Sequence, residues 1–574
     1  MSRFDRKFFK EFWALAKPYW SSEERGFARA LLAVVIALNL GLVYINVEIN
    51  LWSNDFYNTL QNLDREGFFD QLVKFCVLAG AYIVVAVYQL YLNQMLQIRW
   101  RRWLTERYVE AWLADRAYYR LQVFDGGTDN PDQRISEDLQ MFVEQTLTLG
   151  LGLMNAVVTL GSFVVILWTL SGAFELPLGP LGSISIPGYM VWAAVLYAGV
   201  GTWLAHVIGR PLIDLNFNQQ RVEANFRYSM VRLRENAEQV ALYGGEAREA
   251  KGFAERFRRV LDNFRAIMER QKKLTFFTAG YSQLAVIFPV LVVSPRYFAQ
   301  EIQLGGLMQT ASAFGQVQSA LSYFVTAYAN LASWRAVVDR LITFSGRIAS
   351  LRGAEGRAEI ATGTSEAKRI ETRGLTLRLP GGRVLVRDLD LGVRPGERVL
   401  VMGPTGSGKS TLFRAFAGIW PFGAGGVLRP KDSRLMILPQ RPYIPLGTLR
   451  EALLYPRGGE GERADDGALG EALRAVGLER LVASLDQGEN WGLTLSLGEQ
   501  QRIALARLLL AKPDWILLDE ATSALDEPTE TRFYALLRER LPEAAIVSIG
   551  HRGTLKALHD RRLELDGQGG WAMA

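Results

Sequence analysis

One loop decides the fold of the C-terminal part of this chain: Gly403-Pro404-Thr405-Gly406-Ser407-Gly408-Lys409-Ser410-Thr411. It follows a strand-forming run at 397–402 and precedes a helical pattern, the setting that a phosphate-binding P-loop requires. Its glycines let consecutive backbone N–H groups curl around phosphate oxygens, and the N-terminus of the following helix adds positive potential. Lys409 is expected to reach the β- and γ-phosphates, and Ser410 to ligate Mg²⁺. The sequence therefore predicts an α/β P-loop domain that binds a nucleoside triphosphate with Mg²⁺.

Two carboxylates provide for hydrolysis of that nucleotide. The apolar run Trp515-Ile516-Leu517-Leu518 predicts a buried strand, and Asp519 and Glu520 follow directly. Asp519 is expected to hold Mg²⁺ through water, and Glu520 to orient or deprotonate the attacking water. Two acidic residues at a strand end could simply cap it, but a P-loop in the same domain favours the catalytic interpretation.

Composition divides the 574 residues into a membrane half and a soluble half. Long apolar runs crowd the first 330 residues, whereas charged and glycine-rich sequence dominates after 350, so the mean hydropathy of +0.06 conceals both. A bilayer core needs about 20 apolar residues per helix. Six stretches meet this requirement: 27–47, 72–97, 147–171, 187–210, 275–297 and 304–330. We therefore expect an α-helical six-span membrane domain joined to the P-loop domain.

The distribution of Lys and Arg between the spans predicts the orientation. There are six in 1–26, seven in 98–146 and thirteen in 211–274, against one in 48–71 and none in 172–186 or 298–303. Because cytoplasmic loops are enriched in positive charge, both termini are expected in the cytoplasm.

Several classes of protein are disfavoured by composition. The single Cys76 leaves no disulfide framework within the chain, and three histidines with one cysteine leave little for a zinc site. The net charge is +6, and Lys and Arg gather in the segments that flank apolar runs, so the positive charge indicates a membrane rather than nucleic acid. We expect membrane lipid, and no nucleic acid, as a partner.

The N-terminal segment 1–17 mixes basic and aromatic residues without the apolar core of a secretory signal peptide. It predicts an amphipathic helix on the membrane surface, with a helix packed on the protein as the alternative. Apolar residues at helical spacing in 99–122 and 220–270 predict helices that extend out of the membrane towards the cytoplasmic domain. A separate small helical domain is the alternative there.

Polar residues within or near the spans favour a hydrophilic pathway weakly, because helix-to-helix hydrogen bonds explain most of them. They are Asn39, Asn46, Glu48, Asn93, Gln94, Asn155, His206, Gln283, Gln309, Gln316 and Gln318. A glycine-rich stretch at 346–368 predicts a linker. The expected domains are therefore a transmembrane domain at 1–345 and a nucleotide-binding domain at 369–574.

A second motif, Leu495-Ser496-Leu497-Gly498-Glu499-Gln500-Gln501-Arg502, resembles the signature motif of ATP-binding cassettes. The resemblance identifies the chain as a member of the ABC half transporters and implies the ABC exporter-type fold. It implies ATP as the nucleotide, with Ser496, Gly498 and Glu499 as part of its binding site. In such cassettes the helix end at Ser496 and Gly498 binds the γ-phosphate of ATP held by the opposite subunit, which helix-end N–H groups can do. A homodimer is therefore expected.

Other cassette motifs occur in the expected order. Gln440 matches the glutamine that touches Mg²⁺ and the transmembrane helices, and Ser523-Ala524-Leu525-Asp526 matches the D-loop. His551 matches the switch histidine that contacts the γ-phosphate, so we expect it to be catalytic with Glu520. Leu379 stands where an aromatic residue usually stacks on adenine, which leaves the mode of adenine binding open.

The membrane half resembles a narrower group. The segments Asn130-Pro131-Asp132-Gln133-Arg134-Ile135 and Glu238-Gln239-Val240-Ala241-Leu242-Tyr243-Gly244-Gly245-Glu246 are similar to segments of peroxisomal fatty-acyl half transporters and of bacterial BacA-type peptide-uptake permeases fused to a cassette. The aromatic stretch 51–61 resembles the bacterial permeases more, although an interfacial aromatic belt would look alike.

These resemblances imply an ATP-hydrolysing transporter of the bacterial inner membrane that works by alternating access. The favoured hypothesis is import of bulky hydrophilic solutes or peptides, cobalamin-like compounds included. Export or flipping of lipid or fatty acyl-CoA is one alternative, and an ATP-driven signalling partner without flux is another. A soluble ABC-type ATPase is disfavoured by the six predicted spans.

Overall fold

The computed structural model describes residues 6–125, 130–177, 183–353, 360–457 and 465–574. The chain forms two compact units. The first comprises Met1–Tyr118 and Gly127–Ile348, and the second comprises Tyr119–Gly126 and Ala349–Ala574.

The first unit is built from helices, several of them far longer than a bilayer is thick. They are α1 (Arg6–Trp20), α2 (Arg25–Gln61), α3 (Arg65–Leu113), α5 (Pro131–Gln133), α6 (Leu139–Ser171), α7 (Tyr189–Gly209), α8 (Pro211–Glu235), α9 (Ala237–Tyr243), α10 (Glu246–Phe298) and α11 (Leu304–Gly353). A 3-10 turn, Ala114–Arg116, connects α3 to α4 (Ala117–Asp125), and a π-helical turn, Arg134–Asp138, precedes α6. Between α6 and α7 the chain forms an antiparallel hairpin of β1 (Ala173–Pro177) and β2 (Ser183–Pro187).

Five helical segments in the described part of the chain are long and apolar enough to cross a membrane. They are Arg25–Gln61, Arg65–Val123, Pro131–Ser171, Tyr189–Glu235 and Glu246–Phe298. The sixth predicted span, 304–330, lies in α11, which is not among these five. The physical reason is the amide content of α11, because Gln309, Gln316 and Gln318 lower its hydropathy. The count of six spans therefore stays a prediction.

The N-terminal helix α1 packs on the protein with one face only. Phe8 is buried, and its ring centroid lies 5.6 Å from that of Trp334. Phe9 and Trp13 are 53% and 59% exposed on α1. The structure thus supports the packed alternative for one face and leaves an aromatic face of the kind that binds a membrane surface. Residues 1–5 of the predicted helix lie outside the described residues.

The C-terminal part of α2 carries four amide side chains at nearly regular helical spacing, here called the amide ladder: Asn50, Asn54, Asn58 and Gln61. Its members bind α11. Asn54 Nδ2 donates to Gln309 Oε1 at 2.6 Å, and Asn50 Nδ2 donates to the Gln309 backbone oxygen at 3.1 Å.

The last two members of the ladder along α2 cap the first turn of α11. Asn58 Oδ1 accepts the N–H of Gly305 at 2.9 Å, and Gln61 Oε1 accepts that of Leu304 at 2.6 Å. Helix N-termini leave such donors without intrahelical partners. Gly305 has no space for a side chain, because a Cβ would lie 2.1 Å from the backbone oxygen of Asn54. The aromatic stretch 51–61 thus supplies amides to α11, while its Trp52 stacks on Phe56 at 4.8 Å.

A buried ion cluster joins the π-helical turn to α11. Asp138 is fully buried, and Arg340 donates to both its carboxylate oxygens, Nε to Oδ2 at 2.9 Å and Nη2 to Oδ1 at 2.6 Å. Arg134 Nη1 also donates to Oδ2, at 2.6 Å. A buried carboxylate needs this many donors, because its desolvation is costly without them.

The second unit is an α/β domain with two main sheets. The larger has six strands in the order β15-β14-β7-β13-β12-β9: Trp571–Met573, Arg561–Leu565, Arg398–Met402, Ala545–Ile549, Trp515–Asp519 and Leu435–Leu438. Neighbours from β14 to β9 pair in parallel, and β15 pairs antiparallel with β14. The other sheet contains β3 (Ala361–Ser365), β4 (Ile370–Arg378), β5 (Val384–Leu389), β6 (Gly392–Val393) and β8 (Gly423–Pro430).

Helices and short elements complete this unit. They are α12 (Lys409–Phe416), α13 (Leu449–Leu454), α14 (Asp466–Ala475), α15 (Trp491–Thr494), α16 (Leu497–Ala511), α17 (Glu527–Arg540), the 3-10 turns Glu479–Ser484 and Gly553–Leu558, and the two-stranded pair β10 (Gly447–Thr448) and β11 (Gly488–Glu489). The strands of the larger sheet read as apolar runs because both faces are covered.

The structure differs from the predicted linker 346–368. Helix α11 continues to Gly353, and β3 (Ala361–Ser365) pairs in parallel with β8, while 354–359 lie outside the described residues. The residues of Ala361–Ser365 do not alternate between apolar and polar, so the sequence does not indicate a strand. Its backbone hydrogen bonds come from β8, elsewhere in the chain. The short segment Tyr119–Gly126 also belongs to the second unit, where Val123 packs against the hydrophobic core.

Candidate functional site

Most of the predicted site residues lie at one edge of the six-stranded sheet, whereas Ser496, Gly498 and Glu499 lie at the N-terminus of α16. The P-loop follows β7, Gln440 follows β9, Asp519 ends β12 with Glu520 directly after it, and His551 follows β13. Parallel strands present their carboxyl ends at the same edge, where α/β proteins usually bind ligands. The topology therefore brings together residues that lie more than 140 positions apart.

The P-loop forms a tight turn between β7 and α12 and buries its functional groups. Gly408 caps α12 with φ of 100°, and a Cβ there would lie 3.0 Å from that of Leu385. Glycine is required at this position because positive φ is costly for other residues. Ser407 Oγ is buried and has no hydrogen-bond partner among the residues that the structure describes.

Lys409 is 7% exposed, and its Nζ donates to the backbone oxygens of Gly403 at 2.8 Å and Pro404 at 3.0 Å. Burial lowers the pKa of this amine, while Glu520 and Asp519 oppose that shift. The ammonium group is thus held over the loop by two neutral carbonyls. A phosphate would supply the anionic acceptor that the lysine and the unpaired Ser407 hydroxyl lack, so these residues fit a nucleotide triphosphate.

The predicted Mg²⁺ ligands are adjacent. Ser410 Oγ donates to Asp519 Oδ1 at 3.1 Å. Burial raises the pKa of the Asp519 carboxyl, with the Ser410 hydrogen bond acting against it. A hydroxyl and a carboxylate are oxygen ligands of the type that Mg²⁺ prefers, and the cation would restore the ionised carboxylate that burial disfavours.

Glu520 lies between two other predicted site residues. Gln440 Nε2 donates to its Oε2 at 3.0 Å, and His551 Nε2 lies 3.2 Å from its Oε1. The backbone of Glu520 has φ of 51°, the left-handed region that is costly for a residue with a side chain. The surrounding sheet holds the Glu520 backbone in this conformation, since the backbone N–H of Glu520 donates to the Ile549 oxygen of β13 at 3.2 Å. Such a carboxylate can act on a water molecule if one is bound beside a phosphate.

The signature motif forms the N-terminus of α16. Ser496 is the N-cap, and it shares a capping box with Glu499, each side chain bonding the other's backbone N–H. Gly498 packs closely on the D-loop, where a Cβ would lie 3.2 Å from the Ala524 oxygen. The hydrogen bonds of Ser496 thus run within its own turn.

Three residues without a predicted role connect these parts. Gln501 Nε2 donates to the Gln440 oxygen at 2.9 Å, and its Oε1 accepts the N–H of Ala524 at 3.0 Å. Arg552 donates to the backbone oxygens of Leu525 at 2.6 Å and Ser523 at 3.0 Å, so it holds the D-loop next to His551. Arg480 forms an ion pair with Glu499. Gln501 lies within the signature motif and Arg552 follows His551, which is a usable signal, but Arg480 lies nineteen positions before Glu499 and has none.

Leu379 follows β4 and packs, partly buried, against the hydrophobic core, with its N–H donating to the Arg383 oxygen at 2.9 Å. It offers aliphatic surface where a ring was expected.

Comparisons with known proteins follow the two units. The family model for ABC transporter transmembrane region 2 matches residues 15–298, and the ABC transporter model matches residues 386–523. An uncharacterized ABC transporter ATP-binding protein of Haemophilus influenzae is 38% identical over 562 residues, which cover 98% of this chain and 93% of that protein.

Two further relatives and one solved structure extend these matches. The inner membrane ABC transporter ATP-binding protein YddA of Escherichia coli is 34% identical, with 95% and 96% coverage. The human lysosomal cobalamin transporter ABCD4 is 27% identical, with 100% and 97% coverage. The structure of a bacterial Atm1-family ABC exporter with ATP bound superposes with a TM-score of 0.71 at 20% identity, covering 95% of this chain and 94% of that one.

Proposed function

Because this chain belongs to the ABC transporters, multi-pass membrane proteins whose cassettes hydrolyse ATP with Mg²⁺ to drive transport, we propose that it is a homodimeric importer of bulky hydrophilic solutes. Peptides and cobalamin-like compounds are the substrate classes. The membrane is the bacterial inner membrane, and both termini are cytoplasmic.

The observation that carries the catalytic part is the placement of Glu520 between Gln440 and His551. In the proposed reaction Glu520 activates the attacking water and His551 contacts the γ-phosphate. The P-loop holds the phosphates, with Lys409 at the β- and γ-phosphates. Ser410, Gln440 and Asp519 would hold Mg²⁺, which would neutralise charge that develops on the phosphates.

A homodimer is proposed because each chain supplies one P-loop and one signature motif. Ser496, Gly498 and the turn that contains Glu499 would bind ATP held by the second copy. ATP then joins two cassettes, and its hydrolysis separates them. Alternating access follows when that closure is transmitted to the helices of the membrane unit.

Mixing two inactive variants tests the homodimer. Lys409→Ala disables the P-loop and Ser496→Ala the signature motif, so each pure variant is expected to lose most ATPase activity. When the two are coexpressed in equal amounts, about half of the dimers are mixed, and each contains one intact site. We expect recovery of about a quarter of wild-type ATPase activity if the sites act independently. No recovery would contradict a composite site.

Hydrophilic cargo is supported by the resemblance of 51–61 to peptide-uptake permeases and by the full-length likeness to a cobalamin transporter. Import is supported by the permease resemblance alone, since likeness to an exporter at 20% identity concerns the fold. Fatty acyl-CoA or lipid is a second candidate, favoured by one observation. A cavity of about 620 Å³ between α7 and α10 is lined by apolar and aromatic side chains, which include Tyr197, Phe276, Phe277, Tyr281, Leu284 and Phe288.

The deciding experiment is ATP-dependent transport in proteoliposomes with a labelled hydrophilic peptide, cobalamin and an acyl-CoA. ATP is supplied on one side at a time, and Glu520→Gln is the control. Accumulation of peptide or cobalamin against its gradient, away from the side of ATP for export and towards it for import, gives substrate and direction together. Transport of the acyl-CoA alone would replace the proposal with the lipid candidate, and ATP hydrolysis without any flux would favour a signalling role.

A further inference from the structure

A carboxylate stands at the helix end that is proposed to receive a phosphate. Glu499 Oε2 accepts from both the backbone N–H and the hydroxyl of Ser496, each at 2.9 Å. Its other oxygen, Oε1, forms an ion pair with Arg480. The Glu499 side chain is 17% exposed, so water screens it only in part. An anion that approaches Ser496 therefore meets a second anion.

Protonation does not remove this charge at neutral pH. The pKa of the Glu499 carboxyl is lowered to about 2, first by Arg480 and then by hydrogen bonds from Ser496. The carboxylate consequently stays ionised at neutral pH. The Glu499 carboxylate and a phosphate bound at Ser496 would repel each other, because both are negative. The positive end of α16 offsets only part of that repulsion.

Helix α16 itself holds Arg480 in place. Arg480 lies in the 3-10 turn Glu479–Ser484, and the segment just before that turn is fixed by Arg502 Nη1, which donates to the Gly477 oxygen at 2.8 Å. Glu499 and Arg502 are three residues apart, so they share one face of the helix. This face of α16 thus contacts the segment 477–480 twice. Arg502 binds the backbone oxygen of Gly477, and Glu499 pairs with the charged side chain of Arg480.

We propose that Arg480 is a positioning residue of the ATP site, which neutralises Glu499 and keeps its carboxylate turned away when the Ser496 hydroxyl transfers from Glu499 to the γ-phosphate. This inference rests on the proposed function, in which Ser496 binds ATP held by a second copy. The hydroxyl has a single proton to donate. It must therefore leave the carboxylate to serve the phosphate, and Arg480 supplies the partner that Glu499 then retains.

The test is steady-state ATPase kinetics of the full-length protein in nanodiscs. Arg480→Ala is expected to raise the KM for ATP about three- to ten-fold, the scale of one uncompensated charge near a partly screened site, with kcat changed less than about two-fold. Arg480→Lys should retain most of the affinity, because a point charge suffices. Arg540→Ala is the matched control, since Arg540 is also an exposed cassette arginine in an ion pair, with Glu471 at 3.0 Å.

The decisive variant is Arg480→Ala combined with Glu499→Gln. Removal of the carboxylate charge should bring KM clearly below that of Arg480→Ala alone, although the arginine is absent. The KM increase in Arg480→Ala alone should also shrink as salt is raised from about 0.05 M to about 0.5 M, because screening shortens the range of the repulsion.

Three results would overturn the proposal. One is an unchanged KM in Arg480→Ala, another is a double variant no better than Arg480→Ala, and the third is a defect in kcat that salt does not alter, which would indicate lost packing. The coexpression of Lys409→Ala with Ser496→Ala distinguishes failure of the Arg480 proposal from failure of the proposed function. If that pair recovers activity while Arg480→Ala has no effect, the composite site stands and only the role of Arg480 is wrong.

Discussion

Replacement of Arg340 by methionine should destabilise the membrane unit measurably while leaving its apolar packing intact. The change keeps most of the side-chain stem but removes both hydrogen bonds to Asp138, at 2.9 and 2.6 Å. Asp138 then stays fully buried with only Arg134 as a described charge partner. A buried carboxylate that loses one partner is costly, because its desolvation is no longer offset.

The magnitude follows from the geometry. Each hydrogen bond between charged groups contributes about 1.5–3 kcal/mol, and the Arg340 side chain, 37% exposed, is partly screened by water, which reduces the sum by about half. The expected loss is therefore about 1.5–3 kcal/mol. For a unit of this size the thermal midpoint should fall by about 2–6 °C.

Tryptophan fluorescence during heating of the purified protein in nanodiscs measures this midpoint. Arg265→Met is the matched control, because Arg265 pairs with Asp262 at 3.5 Å while both side chains are mostly exposed, so its loss should change little. Hydrogen exchange of the π-helical turn Arg134–Asp138 should quicken in Arg340→Met alone. A midpoint equal to that of the Arg265→Met control would refute the reasoning.

Three further outcomes are expected. Gly408→Val should abolish ATP binding, as measured by fluorescent nucleotide titration, because a side chain would force the positive φ to change and meet Leu385; binding within two-fold of the wild type would contradict this. Asn58→Leu should weaken the cap on α11 and speed hydrogen exchange in its first turn, whereas the same change at Asn155, on α6, should leave that turn unaffected. Stability of the cassette should fall as pH drops below about 6.5, because burial lowers the pKa of His559 and the unfolded state binds the proton more readily; His559→Gln should flatten this dependence, and an unchanged profile would exclude His559 as its source.

The pH argument depends on the neutral form of His559. Its Nδ1 lies 2.7 Å from the Leu555 carbonyl oxygen, which can only accept, so Nδ1 carries the proton. Nε2 then accepts from Ser548, which lies 2.8 Å away and receives a hydrogen bond from Tyr534 at 2.9 Å. A second proton on the ring would make Nε2 a donor, so the Ser548 hydroxyl could no longer donate to it in this buried site.

The cassette was largely predictable from sequence because its chemistry demands particular residues at particular spacings. A P-loop needs glycines, a lysine and a hydroxyl in fixed order, and the structure places Ser410 beside Asp519 as the motif implies. Matches to two family models confirm the class of protein and the two kinds of unit. The roles assigned to individual site residues remain predictions that mutagenesis can test.

Contacts that depend on the fold rather than on a motif could not be predicted from the sequence. Arg480 reaches Glu499 only because a 3-10 turn places it beside α16, and an arginine on a surface turn has no local signature. The small, polar residues of Ala361–Ser365 predict a linker, whereas the strand that they form depends on pairing with β8, far along the chain. In the membrane unit, helix-to-helix hydrogen bonds were the favoured explanation for the polar span residues, and Gln309 forms one; its partner Asn54 could not be named from sequence, because it lies 255 positions away.

The assignment of Tyr119–Gly126 to the second unit has a consequence for biosynthesis. About 235 residues separate Gly126 from Ala361, the start of the first described strand of that unit. At about 5–20 residues per second, a ribosome needs roughly 12–47 s to cover this distance. During that time Val123 has no core to pack against, so the nascent chain exposes an apolar segment that only later synthesis can cover. Chaperone binding to short nascent chains that end between 130 and 360 should therefore depend on Val123.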